Sequence, residues 1–274
     1  MTICVAAIAG RDYAVVASDR MVTLIVPSTE YEQGLSKTLA LADNCVASTA
    51  GSALAFTPIH MDSKFEIQGQ NVHEIKQIAE IIRLQYVNKR NQKLDQDILS
   101  RVGLNLQSFY NSNRAIAPEI VAQIYQGMAA YNYQLSILVS GVDISGPHIY
   151  RIDNPGRMEI FDATGNCAVS SGELHTISTF VANDYTPNLD LNHVVALTYE
   201  AKKRSEKAQG VGEQTDICIV CKDRTITLPQ NMIAKLDTIY NKRSEQEKKA
   251  VSDIEQLVKD LNVSSIDTNE AHNE

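Results

Sequence analysis

The opening of the chain constrains its fold more than any other stretch. It runs "MTICVAAIAGRDYAVVASDR", in which two apolar runs, "TICVAAIA" and "AVVASD", flank the short polar segment "GRDY". Two such runs joined by a glycine-containing turn are typical of a β-hairpin, and Gly10 supplies the turn. Chain ends are usually solvated and frayed, yet the first run begins at Thr2. We therefore expect a largely buried hairpin whose first strand starts at Thr2.

Later segments alternate between strand and helix patterns. The stretch "VPSTEYEQGLS" has the composition of a loop, and "KTLALA" with "CVASTAG" predicts a second strand pair. Apolar residues recur at three- and four-residue steps over 72–90, which predicts an amphipathic helix, with weaker helical patterns at 94–110 and in "APEIVAQIYQGMAAY". Strand patterns return in "LSILVSGVD", "HIYRID", "RMEIFDA" and "NCAVSS", followed by the helical "LNHVVALTYEAKKRSEKA" and the strands "TDICIVCK" and "TITL". Segregated helices and mostly antiparallel strands indicate an α+β layered domain.

Composition limits the class of protein. The chain is 44% hydrophobic and 21% charged, as expected of a globular protein with a sizeable core. Its net charge of −8 argues against a nucleic-acid or anionic-membrane partner. The start lacks a basic leader, and no apolar run reaches the roughly 18 residues of a membrane span. Five scattered cysteines predict a reducing, cytoplasmic location without disulfides.

The pair Cys218 and Cys221 forms a CxxC motif inside the strand-like run "TDICIVCK". Residues three apart in a strand point to opposite faces, so this pair is expected to be structural, and we expect no metal or cofactor.

The end of the chain differs from the rest. Residues 240–274 hold five Lys/Arg and eight Asp/Glu and have no aromatic residue after Tyr240. We predict a main domain over 1–238 with an enlarged helical region around 52–134, a helical extension over 239–261, and a disordered tail over 262–274.

A threonine at the start of a buried strand can carry a particular chemistry. A hydroxyl is a weak nucleophile at neutral pH unless a base activates it, and a free α-amine, with a pKa of about 7.7–8.0, can be that base. Thr2 would gain a free amine if Met1 were removed, which a small second residue permits. Thr2 is therefore a candidate nucleophile.

Four segments place the chain close to a known family. They are "VVASDRMVT", "LSKTLALADNCVASTAGS", "LSILVSGVDISGPHIYRIDNPG" and "LNHVVALTYEAKKRSEK" followed by "DICIV". In order and spacing the chain resembles proteasome β subunits and their simpler prokaryotic relatives, the N-terminal-nucleophile hydrolases, over roughly residues 2–228 with one large gap. The resemblance implies a four-layer αββα sandwich, in which two mainly antiparallel sheets lie between helical layers. It also implies a homo-oligomeric ring and a peptide or protein substrate.

The resemblance also implies roles for six residues. Thr2 would be the nucleophile with its own amine as base, Asp19 would hold Lys37, and Lys37 would lower the cost of ionising the hydroxyl. The other three roles would be an oxyanion-binding N–H from Gly51, help with proton transfer from Ser171, and backbone pairing of Thr23 with an extended peptide.

The register of the first strand stays open at this point. Thr2 lies seventeen residues before Asp19, one more than the family usually shows. A longer turn at "GRDY" would absorb the difference; otherwise Ile3 would stand in the place of the nucleophile, because a one-residue slip reverses every side chain of a strand.

Two classes of function remain open as well. The first is a threonine peptidase or amidohydrolase, or a ligase if an amine replaces water as the second nucleophile. The alternative to this leading hypothesis is a non-catalytic ring or scaffold subunit. One observation speaks for the alternative: Ala208 and Val211 stand where the family carries an aspartate and a serine. Ser170 replaces a glycine that usually precedes the catalytic serine. No triad or metal spacing accompanies His148 or His193, so both are expected to be structural or surface residues.

Overall fold

The computed structural model describes residues 2–24 and 29–260, which form mixed α and β structure with three antiparallel sheets and seven α-helices. The strands are β1 (Cys4–Ala9), β2 (Tyr13–Asp19), β3 (Met21–Leu24), β4 (Thr29–Glu32), β5 (Thr38–Ala42), β6 (Cys45–Gly51), β7 (Leu135–Asp143), β8 (Gly146–Asp153), β9 (Arg157–Ile160), β10 (Asn166–Val169), β11 (Thr215–Val220) and β12 (Thr225–Thr227). The helices are α1 (Ala53–Gln70), α2 (Ile75–Asp97), α3 (Leu106–Ser112), α4 (Pro118–Ala130), α5 (Glu173–Ala182), α6 (Leu191–Ser205) and α7 (Gln230–Asp260).

Two five-stranded sheets and one two-stranded sheet account for these strands. The first sheet has the order β10-β1-β2-β11-β12, the second has the order β5-β6-β7-β8-β9, and β3 pairs only with β4 among the described residues. All the pairings are antiparallel. The hairpin predicted at the start is therefore the centre of the first sheet, because β1 and β2 each gain a second neighbour from the far end of the sequence.

Apolar side chains from the two large sheets pack together in one buried cluster. Residues of β1 and β2 share one buried cluster with residues of β6, β7 and β8. Alternate residues of β1 belong to this cluster, namely Cys4, Ala6 and Ile8, and the intervening residues are buried as well. A strand buried on both faces has no polar alternation, which is why "CVAAIA" is continuously apolar.

Helices pack against the outer faces of both sheets. Side chains of α1 and α2 form one buried cluster with strands of the second sheet, including Phe56, Ile78 and Tyr86. Helix α6 contacts β1 and β2, and α5 contacts β10. A separate cluster of Leu94, Leu99, Phe109 and Ile124 joins the end of α2 to α3 and α4.

Local signals set several helix boundaries. Ser52 caps α1 by accepting from the N–H of Ala55, and Asp190 caps α6 by accepting from the N–H of His193 at 3.0 Å. Pro118 occupies the first turn of α4, as its fixed backbone angle favours.

Some elements differ from the sequence-based expectations. Strand β1 begins at Cys4 rather than Thr2, although Thr2 and Ile3 are buried. The segment interpreted as a loop contains strand β4, which pairs with β3 so that Glu30 lies opposite Thr23. The polar composition concealed this strand because its residues are mostly exposed.

The chain divides into two compact units, Met1–Leu228 and Pro229–Glu274. The described part of the second unit is essentially helix α7, and the predicted domain boundary at residue 238 falls inside this helix. The predicted tail over 262–274 lies outside the described residues. No helix within 2–24 or 29–260 is long and apolar enough to cross a membrane.

Candidate active site

Three of the six predicted site residues contact one another directly. The Thr2 hydroxyl donates to a carboxylate oxygen of Asp19 and accepts from the ammonium of Lys37. Lys37 Nζ also lies 2.8 Å from the same oxygen, Asp19 Oδ1. The relative exposure is 2% for Thr2, 0% for Asp19 and 8% for Lys37. The hydroxyl of Thr2 is therefore held between a buried cation and a buried anion.

The Asp19 carboxylate is the centre of this cluster because backbone groups also converge on it. Its Oδ1 accepts from the N–H of Ile3 at 3.1 Å. Its Oδ2 accepts from the N–H of Met21 at 3.2 Å and of Gly212 at 2.9 Å. A carboxylate that receives several N–H donors is fixed in orientation.

Strand pairing places each member of the cluster. Asp19 ends β2 and lies opposite Thr215 of β11, while its N–H donates to the carbonyl of Ile3. Lys37 immediately precedes β5, and its carbonyl accepts from the N–H of Thr49 at 3.2 Å. Three separate segments, β1, β2 and β5, thus bring their ends to one point.

The structure shows whether Thr2 or Ile3 faces Asp19 and Lys37. The side chain of Thr2 contacts Asp19 and Lys37, whereas that of Ile3 lies on the other side, where a Cβ added at Gly172 would meet it at 3.0 Å. Thr2, and not Ile3, therefore stands at the cluster.

Gly51 and Ser171 lie near this point without contacting it. Gly51 ends β6, two residues after Thr49, whose carbonyl accepts the Cys4 thiol at 3.3 Å. Ser171 follows β10 at the end where Cys4 pairs with Val169, and it is exposed with no hydrogen bond of its side chain to any described residue. Each residue thus follows a strand that is bonded to a segment of the cluster.

An open cavity of about 390 Å³ extends from Gly51 toward Ser170. Its lining comprises Ala50, Gly51, Asn132, Gln134, Leu135, Ser136, Asp153, Asn154 and Ser170. Gly51 has a φ of +112°, and a Cβ there would meet the carbonyl oxygen of Gln134 at 2.1 Å. Only glycine fits this position. Ser170, with a φ of +85°, adopts a backbone conformation that glycine favours.

Thr23 is placed on β3, opposite Glu30 of β4. Among the described residues, β3 has no strand partner other than β4. The side chain of Thr23 lies outside what the structure describes.

Three further residues at or beside the site, Lys202, Gly212 and Asp216, were not predicted from the sequence. Gly212 donates to Asp19, and Lys202, fully buried on α6, donates to the carbonyl of Gly212 at 2.8 Å. Asp216 accepts a forked pair of bonds from Arg20 at 2.9 and 2.6 Å, and this pairing raises the pKa of the guanidinium. The position of Lys202 among the apolar residues of α6 is the sequence feature that could have identified it as a buried lysine.

Other candidate groups have structural partners. His148 Nδ1 bonds to Asp162 at 2.6 Å and Nε2 to Ser145 at 2.7 Å, but the Ser145 hydroxyl donates to Asp143 at 2.6 Å. The hydroxyl proton of Ser145 is therefore directed away from His148, and these hydrogen bonds stabilise the turn between β7 and β8. Burial raises the pKa of the Cys4 thiol to about 12, so this neighbour of Thr2 is not a thiolate nucleophile.

No family model matches the chain, and no curated protein matches it either. Within the described residues, no group of three or more His, Cys, Asp or Glu side chains is arranged to hold a metal ion. The five cysteines are free thiols.

Proposed function

We propose that this chain is a threonine-type N-terminal-nucleophile hydrolase that cleaves peptide or amide bonds by acyl transfer to Thr2, resembling a proteasome β subunit. One observation carries the proposal: the Thr2 hydroxyl is shared between the Lys37 ammonium and the Asp19 carboxylate in a buried cluster. Burying an ion pair costs desolvation energy and often adds nothing to stability. Chemistry at the Thr2 hydroxyl therefore explains the buried Lys37–Asp19 pair, which bonds to that hydroxyl, better than a contribution to stability does.

The reaction requires Thr2 to be the first residue, so that its amine is free. The amine would take the hydroxyl proton as Thr2 Oγ1 attacks the carbonyl carbon of the scissile amide. Lys37 would stabilise the developing alkoxide, because a cation within hydrogen-bond reach favours the charged form. Asp19 would hold Lys37 in place and keep its charge compensated.

The tetrahedral intermediate needs donors for its oxyanion. Gly51 would supply its backbone N–H, since the absence of a side chain lets the substrate carbonyl approach closely. The intermediate would collapse to an ester on Thr2 Oγ1 as the leaving amine takes the proton from the α-ammonium, with Ser171 assisting the transfer. Water, deprotonated by the amine, would then attack the ester and release the acid. An attacking amine in place of water would make the product an amide.

The layering of the fold supports the same assignment. We propose that the two large sheets and their flanking helices form the αββα sandwich of these hydrolases, in view of the shared core between the sheets and of α1, α2, α5 and α6 outside them. The free thiols fit a reducing cytoplasm.

We also propose that copies of the chain assemble into a ring. Two helix faces leave large apolar side chains exposed, at spacings that place them on one side of each helix. These are Leu54, Met61 and Phe65 of α1, and Leu174, Ile177 and Val181 of α5.

A non-catalytic ring or scaffold subunit is the second candidate. Ala208 and Val211 bring neither a carboxylate nor a hydroxyl to the loop beside Asp19. In this alternative the contacts among Thr2, Asp19 and Lys37 would have a structural role and no catalytic one.

Covalent labelling distinguishes the two. A peptide epoxyketone consumes both the hydroxyl and the α-amine of one residue, so it selects an N-terminal threonine over an internal nucleophile. The protein without Met1 should gain the mass of the probe at Thr2, located by peptide mass spectrometry. Thr2→Ala should lose the label, and Thr2→Ser should keep it because both groups remain.

Several probes with different side chains are needed, since a poor fit would mimic inactivity. If the wild type assembles as Thr2→Ala does and reacts with no probe, the scaffold function is correct. A label on a residue other than Thr2 would contradict the assigned nucleophile.

A further inference from the structure

Lys202 is a buried cation that the proposed reaction does not use. It lies on α6 with 0% relative exposure, among neighbours such as Val194, Thr198 and Ser205 that are also buried. Burial lowers the pKa of its ammonium, and the nearby carboxylate of Glu206 acts in the opposite direction. A charged group in such a place must be fully bonded to be tolerated.

The bonds of Lys202 converge on one loop. Its Nζ donates to the carbonyls of Gly212 and Glu213, both at 2.8 Å, and to Glu206 Oε1 at 2.6 Å. An ammonium has three donors, and all three are used. Two of them hold consecutive carbonyls of the segment between α6 and β11.

The same segment reaches the candidate nucleophile's cluster. Gly212 accepts from Lys202 with its carbonyl and donates with its N–H to Asp19 Oδ2 at 2.9 Å. There is no room for a side chain at this glycine, because an added Cβ would meet Glu32 Oε1 at 2.5 Å and the N of Met21 at 3.1 Å. Gly212 is therefore packed closely against β3 and β4, which follow Asp19 in the chain.

We propose that Lys202 is a positioning residue, which fixes Gly212 so that its N–H orients the Asp19 carboxylate toward Lys37 and Thr2. This inference rests on the proposed function. In the segment between α6 and β11, Ala208 and Val211 have no polar side chain that could fix its backbone. Lys202 on α6 fixes this segment through the carbonyls of Gly212 and Glu213. Asp19 thus receives its fifth donor through a chain of contacts that starts at a buried lysine.

Lys202→Met tests the link because it keeps the length of the side chain and removes its donors. We expect kcat per labelled active site to fall about tenfold, the effect of losing about 1.4 kcal/mol of transition-state stabilisation, while KM is unchanged. Active sites are counted with the epoxyketone, so a loss of folded protein alone would not lower this value. Lys203→Met is the matched control, because Lys203 donates to the other oxygen of Glu206 and should leave kcat unchanged.

A second measurement does not depend on catalysis. Hydrogen exchange of the peptide covering 209–214 should become faster in Lys202→Met and stay unchanged in Lys203→Met. Should Lys202→Met fail to fold, Gly212→Ala displaces the same N–H from the other side, and it should lower kcat in the same way.

The outcomes separate the two proposals. An active wild type whose Lys202→Met variant keeps the full kcat per active site and the slow exchange of 209–214 would overturn the role of Lys202 and leave the hydrolase intact. A wild type inert to every probe would overturn both. Faster exchange together with a lower kcat at constant KM would support the role of Lys202.

Discussion

Replacing either half of the buried ion pair should abolish activity, but the two replacements should differ sharply in stability. In Lys37→Met the carboxylate of Asp19 keeps its donors from Thr2, Ile3 and Gly212, as well as that from the Met21 N–H. The change removes one charge-assisted bond and also removes the desolvation cost of a buried ammonium. We expect a loss of about 1–2 kcal/mol.

Asp19→Asn leaves the site in a worse state. An asparagine has one acceptor oxygen, so if it faces Lys37 and Ile3, its NH₂ meets the N–H groups of Met21 and Gly212. Two backbone donors then lose their acceptor, and the Lys37 ammonium stays buried without its counter-ion. Breaking a buried pair in this way costs about 3–5 kcal/mol.

Calorimetry of the two variants measures the difference. For a domain of this size each kcal/mol shifts Tm by about 2–4 °C, so Asp19→Asn should melt about 5–10 °C below Lys37→Met. Far-UV circular dichroism at low temperature checks that both variants fold. Equal melting temperatures, or a lower one for Lys37→Met, would refute the view that Asp19 is the centre of the site.

Three further predictions follow from single contacts. A hydrogen bond to Asp162 raises the pKa of His148, so the stability that it contributes is complete below about pH 6.5 and is lost as pH rises through the folded-state pKa. Urea unfolding should therefore show a larger cost of His148→Gln at pH 5.5 than at pH 8.5, and an equal cost would contradict it. Gly51→Ala should block epoxyketone labelling and lower Tm, because its Cβ would meet the carbonyl of Gln134 at 2.1 Å; unchanged labelling would exclude a role for this backbone. Phe65→Glu, at a side chain that is 81% exposed, should lower the assembled mass in sedimentation without lowering Tm, and an unchanged mass would remove α1 from the interface.

The elements that the sequence predicts well are those with strong local patterns. The hairpin of β1 and β2 and the strands after residue 135 are apolar runs bounded by turn residues, and helix α2 has a clear helical periodicity. Helix α5 was not predicted, because "ELHTISTFVA" mixes threonines with apolar residues and has no side-chain cap. Strand β4 was missed because β3 is its single strand partner among residues 2–24 and 29–260 and because it is mostly exposed.

Some residues of the site could likewise be predicted from the sequence, and others could not. Thr2, Asp19 and Lys37 were predicted from a resemblance over short motifs, and the structure brings them into contact. Gly212 contributes only its backbone, which no residue pattern reveals. Lys202 lies more than 180 residues from Asp19 in sequence, and its role depends on a loop path that only the folded chain defines.

The central position of β1 has a consequence for synthesis. Its neighbours in the sheet are β2 and β10, and β2 in turn needs β11, so the pairings that surround Thr2 span about two hundred residues of sequence. Such long-range pairing forms late, because it must wait until β11 has left the ribosome. A nascent polypeptide therefore carries Thr2, the proposed nucleophile, long before β11 has emerged and the contacts around Thr2 can form. We expect chains truncated before Gly212 to react with no epoxyketone, which would keep unfinished copies inert in the presence of other newly made proteins.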